Sequence, residues 1–180
     1  MISKDLSLLY VEDDETMRHI MAEFFRLLEF RTVYVAVDGQ DGLEQFRRYN
    51  PDMVITDYRM PKMNGLGLSR LIKEEAPEVP IILITSKFHK ELTEDAIDIG
   101  IDAYLFKPVA LDKLHNVLEK LTARVLQRRS FLNQHKLLEE YKKCDGYECC
   151  NSENGFRQSH NICEWLFLSN DRISKSRTYR

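Results

Sequence analysis

Five short apolar runs recur at near-regular spacing along the chain: LSLLYV (6–11), TVYVAV (32–37), DMVITD (52–57), PIILIT (80–85) and DAYLF (102–106). Each is rich in Val, Ile, Leu and Tyr and is nearly continuous rather than alternating. That is the pattern of strands covered on both faces, hence of a parallel sheet. The intervening segments carry helical periodicity instead. Met17, Ile20, Met21, Phe24 and Leu28 mark one face of the first, and Leu43 and Phe46, with Tyr49 a weaker third, mark the second. Leu68, Leu71 and Ile72 mark the third, and Leu92, Ala96 and Ile99 the fourth. Strands alternating with helices of this length predict βαβ units with right-handed crossovers. The expected architecture is an α/β domain over about residues 4–120, with a doubly wound five-stranded parallel sheet.

A different pattern follows. Leu111, Leu114, Leu118, Leu121 and Val125 step by three and four, as in a coiled-coil seam. The first part of that run is expected to pack on the sheet as the last helix of the domain. After Arg128 and Arg129 the apolar positions resume out of phase at Phe131, Leu138 and Tyr141, up to Gly146. The spacing predicts one long helix over 111–143, with 123–143 as a helical linker able to form a homodimeric coiled coil. The remaining span leaves no room for a winged-helix domain, so direct DNA binding is not expected.

Charge sharpens this division. Residues 1–120 hold 15 Lys and Arg against 22 Asp and Glu, whereas 121–180 hold 11 against 7. An acidic body disfavours nucleic acid as its partner. The first residues lack the basic and apolar regions of a signal peptide, and no apolar run reaches membrane-spanning length, which implies a cytoplasmic protein with no membrane partner. All four cysteines, Cys144, Cys149, Cys150 and Cys163, lie in the last segment, whose periodicity is lost. Their spacing, with His160, matches no familiar zinc finger or ribbon.

Ligands of open α/β sheets bind outside the carboxyl ends of the strands. The residues at those ends are Glu12 and Asp13, Asp57, Thr85 and Ser86, and Lys107. Carboxylates converging at one edge disfavour each other's ionisation unless a cation compensates them. Mg²⁺, with Mn²⁺ as an acceptable substitute, takes such an oxygen-rich site. A divalent ion, the Lys107 ammonium and the Thr85 hydroxyl around Asp57 form a set suited to in-line phosphoryl transfer. Asp57, on the central strand, is the natural nucleophile and would form an acyl phosphate.

The segments LLYVEDDETMR, PDMVITDYRMPKMNG, VPIILITS and DAYLFKP closely resemble, in order and spacing, the receiver domain of bacterial two-component response regulators. The resemblance spans about residues 4–122 and implies a CheY-like, flavodoxin-like (βα)5 fold for a receiver domain placed at 1–122. It implies that Asp57 is the phosphoacceptor and that Glu12, Asp13, Asp57 and the backbone carbonyl of Arg59 bind Mg²⁺. Thr85 and Lys107 would contact the phosphoryl group, Tyr104 would be the aromatic switch residue, and a histidine kinase or phosphotransfer protein would be the partner. The chain would be a switch that accepts phosphoryl and autodephosphorylates, and no enzyme toward other substrates. Ser86 and Tyr58 depart from the usual small and aliphatic residues at their positions.

Rival readings are weaker. Asp14 and Glu15 are ordinary acids for a first helical turn. An aspartate-nucleophile phosphatase would want a second acid two residues after Asp57, where Arg59 stands. A non-phosphorylated interaction scaffold would not need the whole set. GLGLSR lacks the third glycine of a dinucleotide fingerprint. Residues 144–180 are expected to be an irregular tail. A one-base shift of reading frame permits a sequence resembling the opening of a PAS sensory domain, as if the chain were cut from a receiver–PAS signalling protein.

Overall fold

The structure, a computed structural model, describes residues 4–86 and 96–145. Strands β1 (Ser7–Val11), β2 (Thr32–Ala36), β3 (Met53–Asp57), β4 (Ile81–Thr85) and β5 (Ala103–Phe106) form one parallel sheet in the order β2-β1-β3-β4-β5. Helices α1 (Glu15–Leu27), α2 (Gly39–Tyr49) and α3 (Gly65–Glu75) follow the first three strands. Residues 96–99 are helical (α4), and α5 (Leu111–Asp145) follows β5. The expected five-stranded doubly wound α/β fold is present.

The continuous apolar runs have a simple cause. Every residue of β1, β3 and β4 is buried, because helices cover both faces of the central strands. Side chains alternate between the two faces. Leu8 and Tyr10 of β1 join Met21, Phe25, Ile55, Ile82, Leu114 and Leu118 in a core under α1 and α5. Leu9 and Val11 join Leu43, Phe46, Val54, Leu68, Ile72 and Ile81 in a core under α2 and α3. Each fully buried aliphatic side chain of this kind stabilises the fold by ~1.5–3 kcal/mol.

Three helices begin just past the carboxyl ends of their strands on side-chain caps. Asp14 accepts from the amide of Met17 at 2.8 Å, Asp38 from Gln40 and Asp41 at 2.9 Å each, and Asn64 from Gly67 at 2.8 Å. Each cap satisfies amides that the first turn leaves without partners. Asp14 is therefore the helix-start acid that its position suggests.

Two sequence expectations need correction. The stripe of α1 is rotated: Met17 and Ile20 are 36% and 55% exposed, while Met21, Ala22 and Phe25 form the buried face with Phe24 and Leu28 beside them. Apolar residues on an outward face displaced the apparent stripe. In α5, Leu111 is exposed, whereas Leu121 is buried and Val125 and Leu126 pack on the core. Sheet packing thus extends beyond Leu118. The fold's contacts divide the chain after Arg128. Leu92, Gly146 and the three cysteines other than Cys144 lie outside the described residues, as do residues 146–180 as a whole. No described helix is long and apolar enough to cross a membrane.

Candidate phosphoacceptor site

β1 and β3 lie side by side where the strand order reverses, so their last residues share the crevice between two oppositely placed crossovers. Glu12 and Asp13 follow β1, and Asp57 ends β3. One carboxylate oxygen from each of the three lies within 4.8 Å of the others. Glu12 is 1% exposed and Asp57 6%, while Asp13 faces solvent. Such a set of hard oxygens fits a small divalent cation such as Mg²⁺, which is typically held by one or two carboxylates plus water.

Lys107, just beyond β5, reaches across to the same point. Its Nζ lies 2.8 Å from Glu12 Oε2, 3.1 Å from Oε1 and 3.2 Å from Asp57 Oδ1. Its backbone is tied down by donation from the Lys107 amide to the Thr85 carbonyl at 2.8 Å. Burial pulls the ammonium pKa down, but Glu12 and Asp57 outweigh that and hold it above the usual lysine value. Burial pushes the Glu12 carboxyl up, with the Asp57 charge adding to it, and the Lys107 hydrogen bond only partly offsets this. One ammonium is thus shared between two buried carboxylates, with a third beside them.

Thr85, at the end of β4, is 1% exposed and pairs in register with Phe106. Tyr104 pairs with Leu83, its ring 5.5 Å from that of Phe106. Its hydroxyl is buried without a hydrogen-bond partner among the described residues. Burial raises its pKa, helped by nearby Tyr58. Arg59 follows in the loop after β3 with its side chain exposed.

Local backbone shapes this edge. A Cβ on Gly65 would lie 2.1 Å from the carbonyl oxygen of Asp57, so only glycine lets α3 begin against that strand end. The Gly65 amide donates to the Tyr58 carbonyl at 2.9 Å. A Cβ on Gly39 would meet the Met63 carbonyl at 2.4 Å, so the start of α2 braces the same loop. Lys62, in the left-handed region at φ 61°, donates to Asp38 Oδ2 at 2.6 Å.

Several contributors escaped the sequence reading. The Tyr10 hydroxyl donates to Glu12 Oε2 at 3.1 Å. Arg18 Nη1 donates to the carbonyls of Glu12 at 2.8 Å and Asp13 at 3.1 Å, closing the turn that carries both acids. The Lys62–Asp38 pair is the third. Only Tyr10 had a visible signal: it stands two residues before Glu12, whose amide continues the extended pairing past β1 by donating to the Ala36 carbonyl, so the two side chains share a face.

The response regulator receiver domain model matches residues 8–119. The chain belongs to the response regulator receiver family. It is similar to the chemotaxis protein CheY-3 of Vibrio cholerae, at 32% identity over 126 residues covering 69% of this chain and 97% of that one. Chemotaxis protein CheY of Pseudomonas aeruginosa is 30% identical over 122 residues, covering 67% and 98%. Among solved structures, the N-terminal domain of an uncharacterized Wolinella succinogenes protein superposes with a TM-score of 0.63 at 32% identity, covering 68% of this chain and 98% of that one. In this receiver, all the strand-end residues singled out from the sequence meet at one edge of the sheet.

Proposed function

We propose that this receiver takes a phosphoryl group onto Asp57 from a histidine kinase or a phosphotransfer protein, with Mg²⁺, and signals through the resulting change in conformation. The convergence of Glu12, Asp13 and Asp57 around one point, with Lys107 Nζ 3.2 Å from Asp57 Oδ1, carries this reading. Bound Mg²⁺ or Mn²⁺ would neutralise charge on the transferring oxygens. Glu12, Asp13 and Asp57, with the Arg59 carbonyl, are the residues that would hold it. An oxygen of Asp57 attacks phosphorus, the P–N bond to the donor imidazole breaks, and the imidazole leaves with the electron pair. Lys107 neutralises the phosphoryl oxygens and the Thr85 hydroxyl donates to them. Water later cleaves the acyl phosphate, so the chain resets itself in the cytoplasm and turns over no other substrate.

Tyr104 is the second part of the switch. A buried hydroxyl left without a partner costs about 1–3 kcal/mol, so its present position is not strongly favoured over another. Movement of Thr85 toward the phosphoryl group would let Tyr104 reorient, shifting a pre-existing equilibrium. Acetyl phosphate with Mg²⁺ should add one phosphoryl mass to the protein and shift amide resonances at Thr85 and Tyr104. Asp57→Asn should abolish both changes, and unchanged labelling of that variant would refute the assignment.

The far part of α5 supplies a partner surface in the same reading. Phe131, Leu132, Leu137 and Leu138 are all more than half exposed, at 63%, 53%, 62% and 59%. A second copy of the chain would cover this helix and give a homodimer. Phe131→Asp with Leu138→Asp should shift sedimentation toward the monomer, and an unchanged sedimentation profile at matched concentration would remove this role.

A further inference from the structure

We propose that Tyr10 is a positioning residue of the metal site: its hydroxyl fixes the Glu12 carboxylate for the ion while Lys107 changes partner. The inference rests on the Mg²⁺ reading of this site. Tyr10 lies on β1 two residues before Glu12, which follows the strand; it is 1% exposed and packs edge-on against Phe25 with ring centroids 5.3 Å apart. Its ring is thereby fixed, and its hydroxyl is aimed at the site from within the core. A buried phenol needs a hydrogen-bond acceptor, and Glu12 Oε2 is the one it has, at 3.1 Å.

Oε2 takes both the Tyr10 hydroxyl and the Lys107 ammonium, so its two lone pairs are filled. Among the described residues Oε1 takes only Lys107, at 3.1 Å, and keeps a lone pair for the ion or for its water. The choice of metal-facing oxygen is therefore made by the protein. The two donors differ in permanence. Lys107 already divides itself between Glu12 and Asp57, and a phosphoryl group on Asp57 would draw it further toward that side. Glu12 is almost fully buried, and a buried carboxylate stripped of its donors is costly. Tyr10, held in the core, cannot follow the phosphoryl group and remains as the constant donor. Donors that orient a ligand from behind commonly govern affinity at metal sites.

The test compares the full chain with Tyr10→Phe, Glu12→Asp and the double variant, by calorimetric titration with Mg²⁺ and with Mn²⁺. Phenylalanine keeps the ring against Phe25, and circular dichroism checks that each variant is folded. Tyr10→Phe should weaken binding by about tenfold. The Mg²⁺ concentration giving half-maximal labelling by acetyl phosphate should rise by the same factor, while the rate at saturating Mg²⁺ stays within about twofold of wild type. In the Glu12→Asp background, one methylene shorter and out of reach of the phenol, Tyr10→Phe should change affinity by less than about twofold. Equal weakening in both backgrounds, or less than about twofold weakening in the wild-type background, overturns the positioning role. A wild-type chain that binds neither ion overturns the Mg²⁺ reading itself, which is a separate outcome.

Discussion

Two charged clusters stand at opposite ends of the same sheet, and they are built on opposite principles. At the amino-terminal edge of β5, Asp102 accepts from Lys73 Nζ at 2.9 Å, from the Ile81 amide at 2.9 Å and from the Arg124 guanidinium. One carboxylate lies between two cations and an amide, and these donors outweigh its burial and hold its pKa below the usual aspartate value. At the carboxyl edge the ratio is inverted. Among the described residues, Glu12, Asp13 and Asp57 have one close ammonium, and the Glu12 carboxyl is pushed up. Both clusters join distant elements, but among the described residues only one is electrostatically satisfied.

The contrast separates stability from function in physical terms. The Asp102 cluster ties α3, β4, β5 and α5 together and asks for nothing further. Among the described residues, the site at Asp57 carries more negative charge than its neighbours neutralise, and a divalent ion would relieve it. A carboxyl raised by burial and by a neighbouring acid, as Glu12 is, points to a functional crevice, whereas the lowered Asp102 carboxyl is what structural pairing produces. The same fold accommodates both because the strands are parallel, so all their carboxyl ends meet at one edge and all their amino ends at the other.

Breaking the satisfied cluster should give the largest change in stability and none in chemistry. Asp102→Ala strips Lys73, itself largely buried, and the Ile81 amide of a shared acceptor. The expected loss is about 2–4 kcal/mol in denaturant unfolding, with the rate of phosphorylation by acetyl phosphate unchanged. The sign in acid follows from the lowered pKa. The stabilisation from Asp102 is fully present above the ordinary aspartate value of 3.8 and is lost as pH falls through its lower folded value. The gap between wild type and variant should therefore narrow only below that range. A gap that closes near neutral pH, or a phosphorylation rate that falls with stability, would show that the two clusters are not independent.

Much of this contrast was hidden in the sequence, and the reasons are local. The sheet was legible because burial on both faces writes β1, β3 and β4 as unbroken apolar runs. The acids at the strand ends were legible because parallel topology brings carboxyl ends together. Asp102 was not, since an acid before a strand looks like any solvated charge until Lys73 and Arg124 are placed beside it. Tyr10 was read as core, and its ring is core; only the inward turn of Glu12 gives its hydroxyl a role. The α1 stripe was misphased because Met17 and Ile20 are apolar yet exposed. The α5 seam read as two segments because Leu121 and Val125 continue the sheet contact while repeating the coiled-coil step.

The smaller and sharper test adds a divalent cation to the cluster at the carboxyl edge. A ligand that binds only the folded state stabilises it by RT ln(1 + [L]/Kd), about 1.4 kcal/mol at tenfold excess over Kd. At that excess, Mg²⁺ should raise the unfolding free energy of the wild-type receiver by that amount, and its midpoint with it, well beyond the effect of matched ionic strength from NaCl. Asp13→Ala removes one of the three converging carboxylates and should abolish the increment. Asp102→Ala should keep the increment in full, although it starts from a lower midpoint, because its cluster holds no surplus charge for the ion to neutralise. The outcome depends on which edge of the sheet responds. An increment that survives Asp13→Ala but disappears in Asp102→Ala would reverse the assignment of the two clusters. Equal increments in all three proteins would mean that Mg²⁺ acts on the fold's general acidity and at neither end.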